Sequence, residues 1–404
     1  MTTFAPLKGI RVLDLSKVLA GPLCTQYLAD MGAEVLKVEP CNGDDTRRWP
    51  PFDGGEGTVF LSANGNKRSI ALDLKSDTGR EICHALARQA DIVVESFGPG
   101  VSARLGLDYD TLRALNPRLI YCGISGFGTV GPLRQGKGYD VVLQAFSGMI
   151  SITGDPDRPP VRSPFSPVDQ GTGLHALIGI LGALIERGRT GQGLRVDASL
   201  FDTALGFLAY FLQGFWQRGT EPERVGSGHE SLCPYQVFET ADRPMILGVA
   251  NDPLWVQFCK VAGEDALATR PEYLTNADRV AHRAACVADV ASIMTRRTRD
   301  DWLSALGAAG VPCSPVHSFG EMTAHPHTQA SGMIFHYQGA DGRALNAVSQ
   351  PLRFNGERPA ARPRPPSLGE HTDAVLRELG YAEDAIAAMH RDGIVCSPGE
   401  PARD

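Results

Sequence analysis

Between residues 10 and 124 two periodicities alternate, and this alternation restricts the fold more than any other feature of the chain. Ile10–Leu15 (IRVLDL) and Glu34–Val38 (EVLKV) are short runs rich in β-formers, and between them Pro22–Met31 has helical spacing and stops at Gly32. That is a βαβ unit. Arg68–Leu72, a helix over Asp77–Gln89, then Asp91–Val94 and Leu119–Ile124 continue the pattern. Strands joined through helices run parallel, so the expectation is an α/β fold with a Rossmann-like, doubly wound sheet whose ligands sit at the strands' carboxyl ends.

The remaining chain is organised differently. After Gly154 a proline-rich loop leads into two long helices, Gln170–Arg187 and Asp197 to about Gln217, separated by the glycines of Arg187–Gly193. Gly219–Glu230 is polar and turn-rich and marks a domain boundary. Beyond it Tyr235–Ala250 reads as strands and Pro253–Gly310 as short helices, a smaller α+β unit. The Pro/Arg tract Arg358–Pro366 reads as an extended surface strap, and a last amphipathic helix falls around Ala374–Leu379. At roughly 150 residues per domain, two to three domains are expected.

Several functional classes are excluded. Lys plus Arg number 39 against 46 Asp plus Glu, a net charge of −7, which leaves no bulk basic charge for nucleic acid or an anionic membrane. The charge-free runs Gln170–Ile185 and Thr203–Gln217 are both shorter than the roughly 18 residues of a membrane span. Lys8, Arg11 and Asp14 interrupt what an export signal would need, and the nine cysteines are scattered without Cys-x-x-Cys, so neither a disulfide framework nor a zinc ribbon is expected and a reducing cytoplasm fits. The loop after the first strand, Lys17–Pro22, lacks Gly-x-Gly-x-x-Gly although Glu39 stands where an acid would take a ribose hydroxyl, which argues against a dinucleotide. Walker and Gly-x-Ser-x-Gly motifs are missing, and His325-Pro-His327 has no third ligand, so no metal and no tightly bound cofactor are expected.

The informative residue is Asp169, which precedes a glycine-rich, apolar helix start (Gln-Gly-Thr-Gly-Leu-His). One reading is a helix N-cap. The other uses the same geometry: the helix dipole keeps the carboxylate ionised, Gly171 and Gly173 leave backbone amides open to a bulky substrate, and the aspartate is a nucleophile toward an activated acyl group.

The sequence resembles the class III CoA-transferases, the group that includes formyl-CoA, carnitine and dicarboxylate CoA-transferases and is related to α-methylacyl-CoA racemase. The resemblance rests on Leu13-Asp-Leu-Ser-Lys-Val-Leu-Ala-Gly-Pro22, Gly32–Glu39, Gly43-Asp-Asp-Thr-Arg-Arg-Trp49, Asn66–Ile70 with Leu72–Lys75, Glu95–Gly100, Gly138-Tyr-Asp140, Gln144–Gly148, Ile152–Gly154, Asp169 with its helix, Thr190–Gly193 and Leu368-Gly-Glu-His-Thr372. Their order and spacing cover nearly the whole chain. The resemblance implies that Asp169 forms an aspartyl acyl anhydride and then an aspartyl-CoA thioester. It also implies that Val18, Ala20, Leu72, Lys75, Ser96, Phe97, Arg104, Lys137 and Tyr139 line the coenzyme A site, with Asp140 near the substrate. Coenzyme A would be a substrate and no cofactor would reside on the protein.

Two departures narrow the activity. The racemase branch has histidine where this chain has Tyr139, and returning an α-proton to the opposite face needs two bases. The formyl-CoA branch has a glutamine in the loop that here contains Leu19, which cannot make its hydrogen bonds. Gly226-Ser-Gly-His-Glu-Ser231 with Pro234–Phe238 is similar to succinyl-CoA:dicarboxylate transferases and places Gly226, Gly228 and His229 beside the acyl group. The implied activity is CoA transfer from an acyl-CoA, succinyl-CoA foremost, to a carboxylic or dicarboxylic acid. An acyl-CoA racemase or isomerase and a non-catalytic CoA-binding protein are the alternatives. The implied architecture is an interlocked homodimer, with a large domain of residues 1–217 plus 330–404, a small domain of 224–320 and linkers at 218–223 and 321–329.

Overall fold

The computed structural model describes residues 4–339, 342–359 and 363–398 and divides into two compact units. The first comprises Met1–Ser147, Pro164–Ala209 and His327–Asp404; the second comprises Gly148–Ser163 and Tyr210–Pro326.

The first unit is built on a seven-stranded sheet in the order Val395–Cys396, Arg68–Leu72, Glu34–Glu39, Arg11–Leu15, Ile92–Glu95, Ile120–Ser125, Arg195–Ser199. All neighbours are parallel except Val395–Cys396, which pairs antiparallel with Leu72 and Ala71 at the edge. Numbered along the chain, the parallel strands lie 3-2-1-4-5-6. Strand order therefore reverses between Arg11–Leu15 and Ile92–Glu95, and the loops leaving those two strands diverge to open a crevice.

Strands buried on both faces read as near-continuous apolar runs, and Val12, Leu13, Leu15, Val93 and Val94 are all buried. The helix Asp77–Gln89 starts on Ser76, whose Oγ accepts the Gly79 N–H at 3.0 Å, and turns Ile82, Cys83 and Ala87 into the core. Ala20–Asp30 packs along Pro167–Thr190, which buries Val168, Ala176, Leu177, Ile180 and Ala183. The latter helix has 24 residues and is long and apolar enough by composition to cross a membrane, more than its charge-free run suggested. Its other side leaves Leu174, Ile178 and Ile185 exposed at 42%, 65% and 72%.

The second unit packs helices against an antiparallel sheet of Cys313–Pro315, Met245–Gly248 and Tyr235–Phe238. Trp255, Phe258, Tyr273 and Trp302 fill its core. Arg279 is fully buried there, over the Trp255 ring and paired with Asp252 at 2.9 Å.

Three expectations change. Asp197–Ser199, expected to begin a helix, belongs to the sixth parallel strand, Arg195–Ser199, because Ile120–Ser125 offers it a free edge; helices Leu200–Phe207 and Ala209–Arg218 follow. The segment Gly148–Ser163 belongs with the second unit, since Arg224 donates to the carbonyls of Ser151, Asp155, Pro156 and Arg158, and Gly226 N–H donates to Gly154 O. Two cysteines do pair: Cys41 and Cys396 form a disulfide across 355 residues, which spacing along the chain could not reveal. Of the Pro/Arg strap, residues 360–362 lie outside the described residues; on either side Arg358 donates to Ser331 O and Arg364 pairs with Glu370 at 2.8 Å.

Candidate functional site

The crevice at the reversal of strand order begins with the loop Ser16–Leu19. Val18 adopts φ +70°, a left-handed conformation that disfavours a β-branched residue, so its surroundings must hold it there. They do so with buried charge. The Val18 N–H donates to the Asp44 carboxylate at 3.2 and 3.4 Å, and Asp44 is paired with Lys37 at 3.1 Å. Lys37 also donates to Ser16 O at 2.9 Å. One layer deeper, Lys67 bridges Asp14, Pro22 O and Asn64 at 3.0, 2.9 and 2.9 Å. Burial alone would raise the Asp14 carboxyl, but Lys67 and Lys37 beside it, with the Ser16 and Thr25 hydroxyls, hold it down at about 2. Burial pushes Lys67 down to about 8 against the pull of Asp14. Asp14, Lys37, Asp44 and Lys67 all lie within the quoted motifs, but no spacing rule shows that they meet.

Beside this loop opens a cavity of about 1190 Å³, and four of the expected coenzyme A contacts, Leu72, Lys75, Phe97 and Arg104, line it. Lys75 and Arg104 are exposed, and neither has a carboxylate within ion-pair distance among the described residues, which leaves two cations free for phosphate groups. Val18 and Ser96 are not in the lining; Ser96 Oγ accepts the N–H of Lys17, which is, at 3.0 Å. Ala20 is buried at the head of its helix, while Lys137 and Tyr139 are exposed residues of another segment and do not line the cavity.

Asp169 is not an N-cap. Its helix begins at Pro167 after Ser166, so Asp169 lies inside the first turn. The cap comes from elsewhere: Asp140, 6% exposed, accepts the N–H groups of Val168 and Asp169 at 2.8 and 3.1 Å, and Gln144 Nε2 donates to its other oxygen. Nor do Gly171 and Gly173 bare the backbone to a ligand. Gly171 is filled by Phe207, and a Cβ at Gly173 would lie 2.5 Å from Ala20 O, so both glycines serve close packing. The expected low, dipole-held carboxyl is corrected as well: burial, and then the charge of Asp140, push Asp169 up to about 7. Among the described residues its carboxylate oxygens make no hydrogen bond, so a half-buried, unengaged carboxyl results.

In the second unit Gly226 turns at φ +59° and Ser227 Oγ accepts the Val237 N–H at 3.1 Å, which shapes the loop that presents His229. The His229 ring stacks on Tyr210 at 6.3 Å and meets Tyr235 edge-on at 5.7 Å. Its Nδ1 accepts the Ser231 N–H at 3.0 Å, so in the neutral ring the proton resides on Nε2.

Residues 7–372 match the family described as CoA-transferase family III. The chain is similar to the succinate–glutarate CoA-transferase of Agrobacterium fabrum, 40% identical with 94% of this chain and 96% of the relative covered. It is similar to the succinyl-CoA:glutarate CoA-transferase of Homo sapiens, 35% identical over 98% and 91%. The acetyl-CoA:oxalate CoA-transferase of Acetobacter aceti is 38% identical over 94% and 97%. Among solved structures, a CaiB/BaiF family protein from Brucella suis superposes with a TM-score of 0.82 at 38% identity, covering 93% of this chain and 99% of that one.

Proposed function

The chain belongs to CoA-transferase family III, and on that premise we propose that it moves coenzyme A from succinyl-CoA to a dicarboxylic acid of the glutarate class, with Asp169 as the covalent carrier. The observation that carries this reading is the Asp169 carboxyl itself, stripped of helix amides by Asp140 and raised to about 7, which makes its anion a stronger nucleophile than a solvated aspartate.

In the first half-reaction an Asp169 carboxylate oxygen attacks the thioester carbonyl carbon, the C–S bond breaks, and coenzyme A leaves as thiolate from a mixed anhydride. The thiolate then attacks the Asp169 carbonyl carbon, releasing succinate and leaving an aspartyl-CoA thioester. The acceptor carboxylate attacks that carbonyl, expels the thiolate and forms a second anhydride, and the thiolate finally takes the acceptor's acyl group and restores Asp169. Every bond energy is passed on, so the cycle requires no metal or redox group. Lys75 and Arg104 bind the phosphates of coenzyme A, with Phe97 against the adenine. A cytoplasmic setting belongs to the proposal because the substrates are acyl-CoAs.

The direct test is mass spectrometry after incubation with succinyl-CoA. The expected product is a CoA thioester on the peptide containing Asp169, discharged by glutarate faster than by oxalate or acetate. An adduct on another residue would remove Asp169 from the role.

The homodimer is likewise proposed. Leu174, Ile178 and Ile185 form an exposed stripe on a helix whose opposite side is core, and a second copy is the occupant that the family resemblance implies. Light scattering is expected to give twice the 43.3 kDa chain mass, and Ile178→Glu to weaken that association. A monomeric mass for the unaltered protein contradicts this.

A further inference from the structure

The Cys41–Cys396 disulfide takes no part in the transfer chemistry, yet both cysteines line the same cavity as Lys75, Phe97 and Arg104. Cys41 is half-buried in the loop that follows Glu34–Glu39 and carries Asp44; Cys396 is 8% exposed on the short edge strand. None of the free cysteines lines the cavity: Cys24, Cys83, Cys122, Cys233, Cys259 and Cys286 are buried and Cys313 lies in the second unit. A molecule in the cavity thus meets this sulfur pair and no other.

The surroundings favour exchange. Of the carboxylates in the lining, Glu39, Asp44 and Asp45 are themselves ion-paired, whereas Lys75 and Arg104 have no carboxylate partner among the described residues and are open to an anionic thiol. The bond also ties together two walls of the cavity. One wall is the loop whose Asp44 holds Val18; the other is the terminal segment that contributes His390, Gly393 and Val395.

We propose that Cys41–Cys396 is a thiol-exchange site opening into the coenzyme A cavity, taking small anionic thiols of the class that includes glutathione and coenzyme A itself. The thiolate attacks Sγ of Cys41, the more exposed residue of the pair. A new S–S bond forms between the small thiol and Cys41, the Cys41–Cys396 bond breaks, and its electron pair leaves with Cys396, which takes up the proton released by the attacking thiol. No oxidant is consumed. The adduct occupies the cavity and unties its walls, so acyl-CoA binding becomes dependent on thiol state. This rests on the reading of the cavity as the coenzyme A site.

The test uses the full-length enzyme purified without reductant. After alkylation of free thiols, peptide mapping is expected to leave Cys41 and Cys396 linked; finding both alkylated would overturn the proposal. Incubation with reduced glutathione, then acid quench, is expected to give one glutathionyl group on Cys41 and a free thiol at Cys396, with no adduct in Cys41→Ser. An intact disulfide after prolonged exposure would overturn it. For the adduct form, KM for succinyl-CoA is expected to rise about tenfold, the worth of one charge-assisted contact; an unchanged KM would overturn the link to binding. Desulfo-coenzyme A, which has no thiol, is expected to slow opening by glutathione, and opening at the same rate would overturn access through the cavity. Calorimetric binding of desulfo-coenzyme A to Lys75→Gln and Arg104→Gln reads the coenzyme A site separately: unchanged affinity in both would refute that site, whereas weakened affinity with no glutathione adduct would refute the exchange alone.

Discussion

Replacing Asp169 with alanine is expected to lower kcat by about 10⁴-fold or more, with desulfo-coenzyme A binding retained, because no second carboxylate can take over a covalent step held by one residue. The pH dependence is the sharper test. Attack requires the anion, and burial followed by the charge of Asp140 pushes the Asp169 carboxyl up to about 7. The single-turnover rate of thioester formation should rise with pH and level off above about 7. Asp140→Asn removes the neighbouring charge but keeps an oxygen for the Val168 and Asp169 amides, so the rising limb should move to lower pH. A limb that stays in place would show that another group controls it. The same shift has a stability sign. Because the folded state favours the protonated carboxyl, its contribution is complete below the usual carboxyl value of 3.8 and is lost as pH rises through about 7. Asp169→Asn, neutral throughout, should therefore stabilise the protein more at pH 8 than at pH 5, as measured by thermal unfolding, while abolishing turnover.

Lys67→Met should destabilise the first unit by about 3–5 kcal/mol, the usual consequence of removing one member of a buried ion pair. Both side chains of the Lys67–Asp14 pair are fully buried at 3.0 Å, and Lys67 also satisfies Pro22 O and Asn64. Without it, Asp14 keeps two hydroxyl donors and the more distant Lys37. Adding Asp14→Asn to Lys67→Met should recover part of the loss, since the stranded charge is then gone. Chemical denaturation followed by a probe in the first unit is the appropriate measurement, because a chain of two units need not unfold in one step. A change below about 1 kcal/mol would mean that water or rearrangement compensates the carboxylate. The pair has a matching acid signature. Asp14, held at about 2, contributes stability that is present above 3.8 and lost as pH falls toward about 2.

Local periodicity is sufficient where strands and helices alternate. Arg68–Leu72 and Asp77–Gln89 appear with the expected bounds, because β-rich runs, a Ser76 cap and an apolar helix face are signals carried by neighbouring residues. Asp197–Ser199, expected to open a helix, is strand instead, because what makes Arg195–Ser199 a strand is the edge of Ile120–Ser125 and not its own propensity. Leu72, Lys75, Phe97 and Arg104 are implied by the family resemblance, and the structure brings them to one cavity. Asp140 was named too, but as a substrate contact, whereas its carboxylate caps the Asp169 helix; a cap supplied from 29 residues away leaves no local pattern. The Cys41–Cys396 bond, spanning 355 residues, is the extreme case.

The sequence alone determined the alternation that makes a parallel sheet, the motifs that mark the family, and the identity of Asp169, since each is written in residue types and short-range order. Tertiary structure alone decided the state of that aspartate, the buried charges that hold Val18 at φ +70°, and the pairing of the two cysteines. The physical reason is common to all three: electrostatic energy and burial depend on distance in space and on excluded water, and residues far apart in the chain supply both.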